Sequence, residues 1–231
     1  MDSADHLADD TVKARQTRRA LTLANQLLDR YGIVSREAVQ FEKLAGGFGP
    51  VYRTLRTMEE SGKIRRGFFV EGLSGAQFAL ASTADRLRAA EPVPTAREPT
   101  LSDFIVLDAS DPANVYGSLL PWPVSKAGKF QPRRAPGALV VLLQGHLVCY
   151  LSVSRRHLVT FVAAHDDTAA LETALGVLAR VSIRGRRRRM TLKQINGVEA
   201  HHSCLGQELE RAGFVRDYDG YSVLHTPAPA S

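Results

Sequence analysis

Clustered arginines are the residues whose types and spacing best fit a chemical role, and that role is anion binding. The densest cluster contains no acidic residue, and its basic members are Arg184, Arg186, Arg187, Arg188, Arg189 and Lys193. Like charges at this spacing repel one another unless an anion or an acidic surface lies opposite them. We predict that this run binds DNA phosphates. The alternatives are a solvated basic edge strand and a contact with acidic residues of another subunit.

A second set of arginines falls on a predicted helix and on the strand that follows it. Arg53 and Arg56 are three residues apart, so they share one face of a helix, and Arg65 and Arg66 begin the strand. A guanidinium group can clamp a phosphate or reach a base edge in the major groove. We predict that these four residues bind DNA, with ordinary solvated arginines as the alternative.

The aromatic residues of the same segment are predicted to have a structural role. Phe68 and Phe69 lie on the first strand of the predicted hairpin, and Phe78 lies on the second. Such side chains pack in a core or across a hairpin more often than they stack on nucleic-acid bases. We therefore expect packing at all three positions.

Sequence signatures of catalysis are weak. No G-x-x-x-x-G-K-[ST] segment occurs, so we expect neither an ATPase nor a bound cofactor in this chain. The two cysteines, Cys149 and Cys204, lack C-x-x-C spacing, and His201 and His202 are adjacent. Neither pattern is typical of a metal site or a disulfide framework.

We predict a winged-helix domain over residues 11–90. This domain would position the arginines of the first half of the chain. Helical periodicity runs from Thr11 to Arg30, Ser35 suits the N-cap of a second helix reaching Leu44, and a third helix spans residues 50–60. Predicted strands at 63–70 and 76–80 form a hairpin, and a short helix follows. In this arrangement the third helix lies in the major groove of DNA.

A proline-rich linker, residues 91–100, separates this domain from a β-rich module over residues 101–225. Predicted elements are strands at 104–107, 138–143, 147–153 and 157–163, a helix at 168–181, an extended segment at 186–195, a helix at 203–212 and a hairpin at 214–224. The fold class is therefore α+β, a winged-helix domain followed by an antiparallel, barrel-like module with C-terminal helices.

The composition favours a globular protein with a polyanionic partner. The chain has 231 residues, of which 44% are hydrophobic, and a net charge of +6. No apolar run approaches the roughly 18 residues that span a bilayer, and the acidic first ten residues do not resemble a signal peptide. We expect a cytoplasmic protein without a membrane partner.

Several segments resemble the closing part of Lhr-type (large helicase-related) bacterial DNA helicases. The most specific is Gly67-Phe-Phe-Val-Glu-Gly-Leu-Ser-Gly-Ala-Gln-Phe. Tyr31-Gly-Ile-Val-Ser-Arg-Glu-Ala-Val lies before it, and Asp111-Pro-Ala-Asn-Val-Tyr-Gly with Leu120-Pro-Trp-Pro lies after it. The likeness extends from about residue 20 to residue 224.

This resemblance implies winged-helix and barrel-like modules that bind DNA in repair, with the helicase motor of the family outside this chain. It implies as partners single-stranded or forked DNA, a helicase motor in cis or in trans, and a homo-oligomer. Some family members are linked to uracil removal, so a DNA glycosylase is the leading enzymatic alternative. Gln77, Glu71 and Asp217 are its candidate residues, each with a structural alternative. A third hypothesis is a winged helix that binds protein and supports oligomerisation.

Overall fold

The computed structural model describes residues 3–89, 99–125, 130–161, 168–182 and 189–224, with the backbone alone for residues 3–11, Ser182 and Leu224. Contacts divide the chain into two compact units, the first within residues 1–92 together with 118–120 and the second in the remainder. The predicted DNA-binding residues Arg184, Arg186, Arg187 and Arg188, and most of the predicted linker, lie outside the described residues.

The first unit has the predicted winged-helix order. Its elements are α1 (Ser3–Tyr31), β1 (Ile33–Val34), α2 (Arg36–Phe41), α3 (Phe48–Glu60), β2 (Ile64–Gly67), β3 (Gln77–Leu80) and α4 (Ala81–Ala89). The strands form an antiparallel sheet in the order β1-β3-β2. Strand β1 was not predicted, because two residues are too few to show an alternating pattern.

Local sequence signals explain where these helices begin and end. The Ser35 hydroxyl accepts a hydrogen bond from the amide of Ala38 at 3.3 Å, as expected of an N-cap. Gly62, at φ 73°, ends α3 in the left-handed conformation that glycine tolerates. Helix α1 begins at Ser3 rather than at the predicted Thr11, since extending an existing helix through polar residues costs little.

The second unit is built around a six-stranded sheet. The unit contains β4 (Phe104–Asp108), β5 (Leu139–Leu143), β6 (His146–Leu151), β7 (His157–Thr160), α5 (Thr168–Ser182), β8 (Arg189–Leu192), β9 (Gln194–Ile195), β10 (Val198–Glu199), α6 (Gly206–Arg211), β11 (Val215–Asp217) and β12 (Gly220–Leu224). The sheet order is β10-β9-β7-β6-β5-β4, and β11-β12-β8 form a separate three-stranded sheet.

The antiparallel meander β4–β7 and the final hairpin are confirmed. The segment predicted as one strand over 186–195 is instead divided after Leu192, because β8 pairs with β12 whereas β9 pairs in parallel with β7. Among the described strands the larger sheet is open, with edges at β4 and β10. The mixed α+β class therefore holds, and closure into a barrel stays a prediction.

Both faces of the six-stranded sheet are covered. On one face, Val141 and Cys149 belong to the core that includes the α5 residues Leu171 and Leu175. On the other face, Val140, Tyr150 and Val159 lie under side chains of the 109–137 segment, namely Tyr116, Trp122 and Phe130. This alternation is the two-residue period of a strand buried on both sides. Complete burial raises the pKa of the Cys149 thiol to about 12, since the thiolate would be desolvated.

The Asp111–Gly117 motif is a loop held by polar contacts. The buried Asn114 amide donates to the carbonyl of Ala109 at 2.9 Å, and its oxygen accepts from the amide of Tyr116 at 3.1 Å. The Arg134 guanidinium donates to four carbonyls of this loop, those of Ser110, Asp111, Asn114 and Tyr116. The loop conformation therefore depends on an arginine far from the motif in sequence.

Candidate nucleic-acid interface

Helix α3 presents Arg53 on its exposed face. Arg53 lines a groove of about 520 Å³ between α1 and α3, together with Gln16, Thr17, Pro50 and Thr54. The side chain of Arg53 is exposed and makes no ion pair with any residue that the structure describes. Its guanidinium group is therefore accessible to an anion from solvent.

The other three predicted arginines of this unit are engaged by carboxylates of the same unit. Arg56 donates to Glu60 at 2.9 Å, one helical turn later. Arg65 is paired with Asp85 on α4 at 2.8 Å, and Arg66 lies 3.2 Å from Glu59. All three pairs are solvent-exposed, so each contributes little to stability and can open at low cost.

A second basic groove was not predicted. Arg15, Arg18 and Arg19 lie together on α1 and line a groove of about 760 Å³ with Leu44 and Ala45 of the α2–α3 loop. Among the side chains that the structure describes, none of those lining this groove is acidic. The spacing of the three arginines at i, i+3 and i+4 could have revealed the site, because it places them on one helical face.

Arg189 and Lys193, at the described end of the arginine run, have acidic partners on the final hairpin. Arg189 is ion-paired with Asp217, and Lys193 lies 2.8 Å from Asp219. The hydrogen bond from Lys193 and its positive charge hold the pKa of Asp219 below its usual value. Acidic residues therefore lie opposite Arg189 and Lys193. One alternative for the arginine run was a contact with acidic residues of another subunit, and here the acidic residues belong to the same chain.

The hairpin formed by β2, β3 and their connection is called here the wing (residues 64–80). One buried side chain holds the connection in place. The Gln77 amide oxygen accepts from the amides of Phe69 at 2.9 Å and Val70 at 2.8 Å, and its nitrogen donates to the carbonyl of Val70 at 2.9 Å. The Phe69 ring lies over Gly67, where an added Cβ would come within 3.2 Å of it. Contacts within the wing therefore fix its backbone at Phe69 and Val70.

The three phenylalanines of this segment differ in their environments. Phe78 is completely buried in the first core, and Phe69 is half-buried over the hairpin, which agrees with the predicted packing role. Phe68 is 88% exposed. The prediction of packing is wrong for Phe68, because neighbouring residues of an extended segment point in opposite directions and only one of them can cover the hairpin.

The three candidate residues for glycosylase chemistry have different environments. Gln77 is buried and all its amide contacts are to the wing backbone, and Asp217 is ion-paired with Arg189. Glu71 is exposed in the wing. Within the described residues, no group of three or more His, Cys, Asp or Glu side chains is arranged to hold a metal ion. None of the described helices combines the length and apolarity that a membrane crossing requires.

Known proteins share both the winged-helix unit and the β-rich unit. Residues 13–99 match the family model for the large helicase-related protein, winged-helix domain. The chain is 43% identical over 203 residues to the Lhr helicase/uracil glycosylase of Escherichia coli, which covers 86% of this chain and 12% of that protein. It is 42% identical over 182 residues to the Lhr helicase/probable uracil glycosylase of Mycolicibacterium smegmatis, covering 79% of this chain and 12% of that protein.

The predicted resemblance is thus confirmed, and the match extends well beyond the winged helix. The chain nevertheless spans only 12% of the length of either relative. The chain carries the winged-helix domain of the large helicase-related family at residues 13–99 and is homologous over most of its length to a small part of the Lhr helicases.

Proposed function

We propose that this chain is a DNA-binding module of the Lhr family. The observation that carries the proposal is the set of exposed arginines on α1 and α3, Arg15, Arg18, Arg19 and Arg53, which have no ion pair among the described residues. Four uncompensated positive charges on the helical face of a winged helix favour phosphate contact, because binding releases the counterions of the DNA.

The paired arginines have a secondary role in this proposal. Arg56, Arg65 and Arg66 are each ion-paired with a carboxylate. The net positive charge around them is therefore lower than around the four exposed arginines named above. A phosphate must displace that carboxylate to bind, which offsets part of the gain. We assign these three residues to the rim of the DNA contact of the first unit. Arg189 and Lys193, each paired with an aspartate of the final hairpin, are proposed as secondary DNA contacts of the second unit. Single-stranded or forked DNA and a helicase motor, in cis or in trans, are the proposed partners.

The salt dependence of DNA affinity tests the assignment. We expect Arg53→Ala to reduce the slope of log K against log salt on duplex DNA by about 0.9, and Arg15→Ala, Arg18→Ala and Arg19→Ala together to reduce it by up to about 2.7. The measurement is fluorescence anisotropy of labelled duplex over a series of salt concentrations.

Arg86→Ala is the matched control for this measurement. Arg86 lies on α4, is exposed and lines neither basic groove, so its removal takes away the same charge at another place. An equal change of slope for Arg86→Ala and Arg53→Ala would reduce the effect to net charge and contradict the assigned surface. No DNA binding at low salt by the unaltered chain would reject the function itself, and a protein-binding winged helix would take its place.

Uracil removal is the second candidate function, since the names of both relatives include uracil glycosylase. The chain would need a carboxylate or amide to position water or to stabilise the sugar cation. The test is incubation with a labelled single strand carrying one uracil, followed by alkali. Binding without cleavage would support the passive module. Cleavage that depends on uracil and disappears in Glu71→Gln would instead make the chain an enzyme.

A further inference from the structure

The wing contains one large apolar residue, Phe68, whose side chain is almost fully exposed. Gly67 gives room to Phe69, Gln77 holds the backbone at Phe69 and Val70, and Ser74 donates to Glu37 at 2.8 Å. Phe68 stands in the middle of these contacts and is 88% exposed. Keeping a phenylalanine ring in water is unfavourable, so its position in a tightly held segment points to an external contact.

Phe68 lies at a groove of about 640 Å³ between β2 and α4. Three apolar residues, Ile64, Ala84 and Leu87, line this groove, and a volume of this size accommodates a small organic group such as a nucleobase. Leu87 is itself 45% exposed. The groove therefore offers an apolar surface beside an exposed aromatic ring.

The charged residues around the groove have a net positive charge. Arg65, Arg66 and Arg88 line it, against Glu59, and Asp85 bridges Arg65 at 2.8 Å and Arg88 at 3.2 Å. Three guanidinium groups thus face two carboxylates. An aromatic ring next to a surplus of arginine is the combination with which proteins bind single-stranded nucleic acid, through base stacking and phosphate contact.

We propose that Phe68 is a stacking platform for an unpaired base, with the groove beside it receiving the adjoining nucleotide. This inference rests on the proposed DNA-binding function and narrows its ligand to DNA with unpaired bases. In an intact duplex, both faces of each base are covered by its neighbours, so the ring has no base face to contact. The wing fixes the backbone next to Phe68 through Gln77, which lowers the entropic cost of presenting the ring.

The experiment compares Phe68→Ala and Phe68→Trp with the unaltered chain on single-stranded and duplex DNA. We expect Phe68→Ala to weaken single-strand binding by about 5- to 150-fold, to leave its salt slope unchanged and to leave duplex affinity unaltered. Phe68→Trp should retain single-strand affinity, because the larger ring also stacks. A strand containing the fluorescent base 2-aminopurine should be quenched by the unaltered chain and by Phe68→Trp, and not by Phe68→Ala.

Phe41→Ala is the control for a general loss of apolar surface, since Phe41 is 48% exposed and lies outside this groove. If the unaltered chain binds neither DNA form, the proposed function fails. If it binds single strands and Phe68→Ala binds them equally well, the stacking role alone is overturned. A loss in Phe68→Ala that is equally large on duplex DNA would also overturn the choice of unpaired bases.

Discussion

Replacement of Gly220 by alanine is expected to destabilise the second unit by about 3–5 kcal/mol, from overpacking and backbone strain together. Gly220 begins β12 at φ 139°, a conformation that residues with a side chain rarely adopt. An added Cβ would overlap the carbonyl oxygen of Leu192 and lie 3.0 Å from its carbonyl carbon. Leu192 pairs with Tyr221 in the ladder between β8 and β12, so neither strand can withdraw without breaking the sheet.

The fluorescence of the single tryptophan measures this effect. Trp122 packs edge-to-face on Tyr150, with ring centroids 5.7 Å apart, inside the second unit. Urea unfolding followed at Trp122 should give a lower midpoint for Gly220→Ala, with a loss comparable to a large part of the usual 5–15 kcal/mol stability of a domain.

Gly213→Ala separates the steric overlap from the strain of a positive φ. Gly213 has φ 92°, and a Cβ there would meet no atom within 4 Å. We expect this variant to cost about 1 kcal/mol, from backbone strain alone. Equal losses in the two variants would contradict the close approach of Gly220 to β8.

Gln77→Leu is expected to open the wing and to destabilise the first unit by about 2–4 kcal/mol. Gln77 is completely buried and satisfies three backbone groups of Phe69 and Val70. Leucine has a similar volume and no polar atom, so those groups would have to find water or remain unpaired. Hydrogen exchange should show much faster exchange of the Phe69 and Val70 amides, while the fluorescence of Trp122 stays unchanged.

Gln26→Leu provides the control, because Gln26 is exposed on α1 and its loss should change stability by less than about 0.5 kcal/mol. Gln77→Leu should also lower single-strand affinity if the wing presents Phe68, although Phe68 itself is intact. Unchanged protection of the two amides would mean that the turn of the wing is held by other contacts.

Among the predicted DNA-binding arginines, some have an acidic partner close in sequence and others have one far along the chain. The Arg56–Glu60 pair has helical i, i+4 spacing and was visible in the sequence. The partners of Arg65 and Arg189 lie 20 and 28 residues away. The sequence pattern therefore predicts equal roles for Arg53 and Arg65. The fold leaves Arg53 exposed without an ion pair among the described residues, whereas Arg65 is paired with Asp85.

The sequence by itself determined the winged-helix order, the meander and the final hairpin, because capping residues, glycine turns and hydrophobic periodicity act within a few residues. It also showed the resemblance to Lhr-type helicases, most specifically through residues 67–78. Only the tertiary structure decided that Phe68 is exposed while Phe69 and Phe78 pack, and that Leu44 and Ala45 of the α2–α3 loop line a groove with the α1 arginines. Those outcomes depend on which surfaces meet when distant segments pack, and no local pattern contains that information.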